Sequence, residues 1–352
     1  MNTEHIYATE IALLQSLLLT ITWKTILNSN LGLNIAYRQI KSEDPQYGFT
    51  FVLTSRNIER AQQACDLIEK FNKEQENPRV LKTIPLVLDL TDMNSIKKAC
   101  DKLKTDFDEI HYLFLNAALG VCSGINWFEA IKEMISNPLN AVTDPHYKVQ
   151  KEGLMSNDNM GLIFQANVFG PFYLMKKILP LLSKGEAVVI WISSLRSDPS
   201  YLPLDDLELV GSPTPYEGSK RMIDLLHLST FKELKAQGVY QYVVQPGIFV
   251  SQSFYQHLNI ITYYLMMLMF YMARRWGSYW HTIDPYKAAN APVYVCTFSD
   301  RDFERQDIKY GSATYNDGVE HIKPEEIDEF GKQEVHDFLL SKEKEWDIKL
   351  GY

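Results

Sequence analysis

An α/β fold built on a doubly wound parallel sheet follows from three features of this 352-residue sequence. From residue 49 onward, short β-branched or aromatic runs alternate with longer stretches whose apolar residues recur every three to four positions, the rhythm of βαβ units. Several of the short runs are continuously apolar, as expected of strands covered by helices on both faces. Right-handed crossovers then leave few ways to connect the series.

Taken in order, the patterns predict strands over 49–54, 83–89, 112–116, 187–193 and 240–245, and helices over 57–73, 93–106, 160–183 and 216–236. The stretch 124–153 contains Asn137-Pro138 and Asp144-Pro145, which mark turns, and is expected to be an irregular insertion at the rim of a site. The apolar run from Leu258 to Ala273, LNIITYYLMMLMFYMA, ends in Arg274, Arg275 and Trp276, residue types that settle at a lipid headgroup interface. It is shorter than the ~20 residues a spanning helix needs. Two readings stand: a segment lying in one leaflet, or a lid or dimer-packing helix buried within protein. The tail over 323–352 is rich in charge, with Phe338, Leu339, Leu340 and Trp346 interspersed, and predicts an amphipathic helix. The expected organisation is an atypical segment over 1–27, one body over 28–322 and the tail.

Composition narrows the function. Lys and Arg number 35 against 44 Asp and Glu, a net charge of −9 with no long basic block, so the footprint of a nucleic-acid binder is missing. Cys65, Cys100, Cys122 and Cys296 are widely spaced and read as reduced core or pocket thiols. No two of the eight histidines lie three or four residues apart, which argues against a helical metal site. The apolar run Ile11 to Trp23 is broken by Gln15, Ser16, Thr20 and Thr22 and lacks the basic start and cleavage site of a signal peptide.

The chemistry concentrates in Tyr216-Glu217-Gly218-Ser219-Lys220, which opens a helix and sets Tyr216 and Lys220 one turn apart on one face. A phenol with an ordinary pKa near ~10 is a poor acid-base catalyst at neutral pH, and a neighbouring ammonium stabilises its anion. Upstream, an apolar strand runs into Ser193 and Ser194, placing a hydroxyl at the carboxyl end of a strand, where open α/β sheets bind ligands. Asn116-Ala117-Ala118 ends another strand, Asn167 lies within a helix, and Gln245-Pro246-Gly247 closes the next strand.

In order and spacing, these residues resemble the short-chain dehydrogenase/reductase superfamily, from about Asn28 to Pro292. The resemblance implies a Rossmann-like fold and a catalytic set of Ser194, Tyr216, Lys220 and Asn167, the asparagine holding a proton-relay water beside the lysine. Ser193 is the alternative to Ser194, though the Ile-Ser-Ser pattern favours the second serine. The implied reaction is hydride delivery from a nicotinamide while Tyr216 protonates the oxygen and Ser194 hydrogen-bonds it. Implied cofactor contacts are Asn28, Leu31 and Gly32 in the first turn, Ser55 and Arg56 after the second strand, Asp89, Asn116 and Ile248 after later strands, and Tyr216 and Lys220 themselves. Arg56 stands where an NAD enzyme usually carries an acid, which favours the 2′-phosphate of NADPH. For Asp89 a helix N-cap is the competing role.

The first turn departs from the family. In place of Thr-Gly-x-x-x-Gly-x-Gly the chain has Thr25-Ile26-Leu27-Asn28-Ser29-Asn30-Leu31-Gly32, and Lys24 falls where a central strand should be apolar. Either residues 1 to about 27 are not the natural start of this body, or the protein binds cofactor poorly. The first reading agrees with the consistency of everything after Asn28.

Within the superfamily, Gly161 to Pro171, Tyr216 to Arg221 and Tyr286 to Pro292 are similar to the fungal 3-keto-steroid reductases of ergosterol biosynthesis. That similarity implies NADPH, a 4-methyl sterone substrate, association with the other sterol C-4 demethylation enzymes, and a place on the cytosolic face of the endoplasmic reticulum membrane or on lipid droplets. Self-association is left open. Two other readings are a reductase of another lipid carbonyl, and a scaffold of a sterol-processing complex with an impaired cofactor site.

Overall fold

The computed structural model describes residues 15–21, 30–42, 48–250, 260–298 and 301–352. The chain begins with β1 (Gln15–Ile21), α1 (Asn30–Ser42), β2 (Gly48–Ser55), α2 (Ile58–Lys73), β3 (Leu81–Val87), α3 (Met93–Asp106) and β4 (Tyr112–Leu115). The insertion follows as β5 (Cys122–Ile125), α4 (Trp127–Ser136), α5 (Pro138–Thr143) and β6 (Lys148–Gln150). An interrupted helix comes next: α6 (Leu162–Phe164), a π turn (Gln165–Phe169), α7 (Gly170–Lys177) and α8 (Leu179–Lys184). The remainder is β7 (Val188–Ile192), α9 (Pro215–Lys235), β8 (Tyr240–Gln245), α10 (Ile260–Arg275), α11 (Pro285–Ala288), α12 (Asn290–Tyr294), β9 (Ile308–Thr314), β10 (Glu320–Glu326) and α13 (Lys332–Leu350).

The main sheet has the order β10-β9-β8-β7-β4-β1-β2-β3, parallel throughout except where β10 returns against β9. The order reverses between β1 and β4, which opens a crevice at their carboxyl ends. Period-two alternation splits the interior in two. Leu113, Leu115, Val189 and Trp191 face one core with α3, α7, α9 and α13. Phe114, Val188, Ile190 and Ile192 face the other with α1, α2, α11 and α12. Pro85 sits in β3 without cost to the ladder because β3 is an edge strand.

Several expectations are corrected. Strand β1 is described over Gln15–Ile21, pairing Gln15 with Gly48 and Leu18 with Tyr112, and Lys24 lies outside the described residues. The stretch expected to be irregular folds as the β5–β6 hairpin enclosing two helices. Asn137 caps α5 by accepting from Asn140 N at 3.1 Å, and Pro138 occupies the first turn, where its missing N–H costs nothing. The expected helix over 160–183 is divided by the π turn. The tail's helix starts at Lys332, because 320–326 extends the sheet instead. Of the four free cysteines, Cys122 is exposed rather than buried.

Candidate active site

Helix α9 carries the centre. Pro215 occupies its first turn, but Thr214 at the cap position makes no side-chain bond to it. The Tyr216 N–H donates instead to Gln150 Oε1 at 3.1 Å, across from β6. The Gln150 amide in turn donates to Glu217, whose carboxylate also takes a bond from Arg196. Arg196 spans further to Asp144 at the end of α5. The phenol ring of Tyr216 lies against Gly120, where a β-carbon would come within 3.3 Å of Cδ2.

One turn on, Lys220 is buried at 1% exposure. Its Nζ donates to Ile192 O at 2.7 Å and stands 5.6 Å from the Tyr216 ring centre. Burial lowers this ammonium to about 8, with Asp224 opposing and Lys309 reinforcing the shift. Burial pushes the Tyr216 phenol up, Glu217 adds to the rise, and Arg196 partly offsets it. A phenol so placed stays protonated at neutral pH, which suits a proton donor.

The two serines separate cleanly. Ser193 is buried; its N–H donates to Val244 O at 2.7 Å and its hydroxyl to Lys220 O at 3.3 Å. Ser194 is half-buried, and among the described residues its hydroxyl accepts only from Arg196 N, at 3.1 Å, so it is the one able to reach a ligand. Its carbonyl is held by Lys309 Nζ at 3.1 Å. That ammonium also meets Asp224 Oδ2 at 2.6 Å and Ser197 Oγ at 2.6 Å, and Ser197 donates to the same carboxylate oxygen at 2.7 Å.

Asn167 lies in the π turn, a distortion that recurs at functional sites because it re-aims a side chain. Its carboxamide accepts from Leu119 N at 2.6 Å and donates to Leu119 O and Ser219 Oγ, each at 2.9 Å. Ser219 donates onward to Tyr216 O at 2.6 Å. The amide therefore ties the turn after β4 to the catalytic helix.

The expected cofactor contacts distribute along the carboxyl edge of the sheet. Leu31 and Gly32 are buried in the first turn of α1, while Asn28 lies outside the described residues. Ser55 is buried at the end of β2 and its hydroxyl accepts from Asn57 N at 3.4 Å; Arg56 beyond it is exposed. Asn57 itself caps α2, so Arg56 is not needed there. Asp89 does not cap α3, since Asp92 does so through Asn94 N and Ser95 N. The Asp89 carboxylate instead takes the N–H and hydroxyl of Thr91 at 2.9 and 2.6 Å. Asn116 is buried where β4 ends. The N–H of Ile248 donates to Trp280 O at 2.6 Å, and its carbonyl accepts from Ile283 N at 2.9 Å. Gly247 before it has φ +71° and a β-carbon there would strike Trp280 O at 2.6 Å, so the turn requires glycine. A cation at the end of β2, an ammonium at the end of β7 and a crevice where strand order reverses fit a phosphate-bearing dinucleotide laid across the edge.

Gly120, Gln150, Arg196, Asp224 and Lys309 were not anticipated. None of them stood out in the sequence, because the strand that buries Lys309 does not read as one. Among the described residues, no cluster of three or more His, Cys, Asp or Glu could hold a metal.

Comparison with known proteins adds relatives to this geometry. The profile of the short chain dehydrogenase family matches residues 29–257. The 3-keto-steroid reductase of Candida glabrata is 51% identical over 323 residues, covering 92% of this chain and 93% of its own. The 3-keto-steroid reductase ERG27 of Saccharomyces cerevisiae is 51% identical over 325 residues, covering 92% and 94%. Among solved structures, a 7α-hydroxysteroid dehydrogenase complexed with NADH and 7-oxo glycochenodeoxycholic acid matches with a TM-score of 0.53 at 14% identity, covering 86% of this chain and 96% of its own. That likeness shows the fold.

Proposed function

The chain belongs to the short-chain dehydrogenase family, and on that premise we propose that it reduces the 3-ketone of a 4-methyl sterone with NADPH, during sterol C-4 demethylation. It is an oxidoreductase of a family that uses NAD or NADP. The observation that carries the reading is that Lys220, one turn from Tyr216 in the first turns of α9, is bonded to Ile192 O at the end of β7, two residues before the half-buried Ser194.

When bound, the dinucleotide supplies hydride to the carbonyl carbon. Tyr216 donates its phenolic proton to the carbonyl oxygen, and Ser194 donates a hydrogen bond to the same atom as charge develops on it. The Lys220 ammonium stabilises the phenolate left behind. Asn167 holds the turn that packs Gly120 against the Tyr216 ring, so the phenol is aimed before substrate arrives. Arg56, exposed at the end of β2, supports the choice of NADPH over NADH.

The test is turnover of a 4-methyl-3-keto sterol by purified protein in detergent with each dinucleotide. Reduction at least tenfold faster with NADPH is expected. Reduction of other lipid ketones but not the sterone would replace the substrate, and loss of NADPH binding in folded protein would favour a scaffold.

We further propose that the protein works at the cytosolic face of the endoplasmic reticulum membrane, beside the enzymes that share its sterol intermediates. Supporting this, Ile260, Ile261, Tyr264, Leu265, Leu268 and Tyr271 form the outer stripe of α10 and are all more than half exposed, with Arg275 and Trp276 at its end. On α4, Trp127, Phe128, Ile131 and Ile135 are exposed likewise. The inner sides of both helices share one apolar cluster through Met134, Met266, Met267 and Phe270. Among the described residues no helix is long and apolar enough to cross a membrane, so a helix lying in the interface is the arrangement that fits. Co-sedimentation with phospholipid vesicles reads it directly.

A further inference from the structure

The first N–H groups of a helix have no partner within it, and a side chain just upstream normally supplies one. At α9 that arrangement is missing. Pro215 has no N–H to satisfy, the Thr214 side chain makes no cap bond, and Tyr216 is therefore the first residue whose N–H needs a partner. The partner comes from 66 residues away. Gln150, the last residue of β6, accepts from Tyr216 N at 3.1 Å with its carbonyl oxygen, while its amide nitrogen donates to Glu217. Both ends of one side chain thus grip two consecutive residues, the first of them the proton donor.

The grip is rigid for identifiable reasons. Gln150 is 9% exposed and paired with Cys122 in the β5–β6 hairpin. The next residue, Lys151, donates its N–H to Val121 O at 2.9 Å, one residue beyond the Gly120 that packs on the Tyr216 ring. The hairpin that delivers Gln150 to the backbone of Tyr216 is thereby continuous with the wall that touches its ring. Glu217, 3% exposed, is held on its other oxygen by Arg196, which also binds Asp144 at the end of α5.

We propose that Gln150 is a positioning residue for the reaction, capping the catalytic helix from the insertion and fixing the Tyr216 backbone so that the phenol meets the carbonyl oxygen. The inference rests on the ketone-reductase reading above. A displacement of about 1 Å at a reacting group is enough to cost on the order of a hundredfold in rate.

Gln150→Met keeps the length and bulk of the side chain and removes both bonds. Its kcat for the 3-keto steroid should fall tenfold or more, while KM and the NADPH dissociation constant stay within about twofold of the parent. Exchanging the pair, Gln150→Glu with Glu217→Gln, restores an acceptor for the Tyr216 N–H and a donor to position 150, and should recover kcat to within about threefold. Hydrogen exchange of the peptide over 214–222 is the readout independent of substrate: faster exchange is expected in Gln150→Met and near-parent exchange in the swapped pair. A folded Gln150→Met protein with kcat within twofold of the parent overturns the proposal, as does a loss confined to KM or cofactor binding. If Gln150→Met does not fold, a folded swapped pair that loses tenfold in kcat overturns it. A parent that reduces no 3-keto steroid defeats the substrate reading instead, and the exchange measurement then decides the cap alone, with unchanged exchange overturning it.

Discussion

Helices α9 and α10 invert each other. The first buries fifteen of its twenty-one residues, among them Glu217, Lys220, Arg221 and Asp224, all at 3% exposure or less. The second buries three of sixteen, and apart from Arg275 at its end what it exposes is isoleucine, leucine and tyrosine. Ordinary folding does the opposite, since charges are almost never fully buried unless paired and large apolar side chains gain roughly 1.5–3 kcal/mol each from burial. Each inversion therefore needs a compensating partner. For α9 the partners are within the chain: Ile192 O for Lys220, Lys309 and Ser197 for Asp224, Asp328 and Phe330 O for Arg221, Gln150 and Arg196 for Glu217. The outer face of α10 is exposed, and a lipid surface is the partner proposed for it above.

The largest effect that sharpens this contrast is on chemistry. Tyr216→Phe should lower kcat by two to four orders of magnitude, about the range a positioned acid supplies, because only the proton donor is removed. NADPH affinity, measured by fluorescence titration, should stay near the parent's. Unchanged turnover would show that the acid is another group.

Next in size is the cost of stranding a charge. Lys309→Met leaves the Asp224 carboxylate without its ammonium at a site where one of its oxygens, Oδ1, has no hydrogen-bond partner among the described residues. Breaking one side of a buried pair costs about 3–5 kcal/mol, whereas replacing both sides is often close to neutral. Urea unfolding of Lys309→Met should show that loss, and Lys309→Met with Asp224→Asn should recover most of it. Equal losses in the single and double variants would mean that the pair contributes through packing alone. On α10, by contrast, Arg275→Ala should change stability by less than about 0.5 kcal/mol.

How much of this was legible in the sequence follows the same division between local and distant causes. Strands β2, β3, β4, β7 and β8 were readable because most of them are runs of apolar residues, and the Tyr216–Lys220 pair because one helical turn fixes its geometry. Strand β1 was not, since Gln15, Ser16 and Thr20 interrupt its apolar residues and make it read as a broken run. Strands β9 and β10 were missed for a related reason: Lys309 interrupts the first, and Pro324 among the charges of Glu320, Lys323, Glu325 and Glu326 disguises the second. The helices of the insertion were masked by Asn-Pro signals that proved to be a cap and a first turn rather than a loop. Asn167, Ser194 and Lys220 could be named, but what holds them could not, because Leu119 lies 48 residues from Asn167 and Lys309 lies 115 from Ser194. A π turn leaves no mark in the spacing of apolar residues that a helix would not also leave.

Two exposed leucines separate the occupants of the apolar face. Leu265 and Leu268 are each 55% exposed, so Leu265→Gln with Leu268→Gln should leave unfolding free energy within about 1 kcal/mol of the parent. Binding to phosphatidylcholine vesicles should nevertheless weaken about tenfold for each leucine, the equivalent of losing roughly 1.4 kcal/mol of apolar transfer per side chain. Phe128→Gln on α4 should weaken it by a smaller factor if the insertion shares the surface, and not at all if α10 docks alone. Should the double variant keep its vesicle affinity but lose a concentration-dependent dimer, the face packs against a second copy of this chain, and the inversion of α10 is then resolved inside the protein just as that of α9 is.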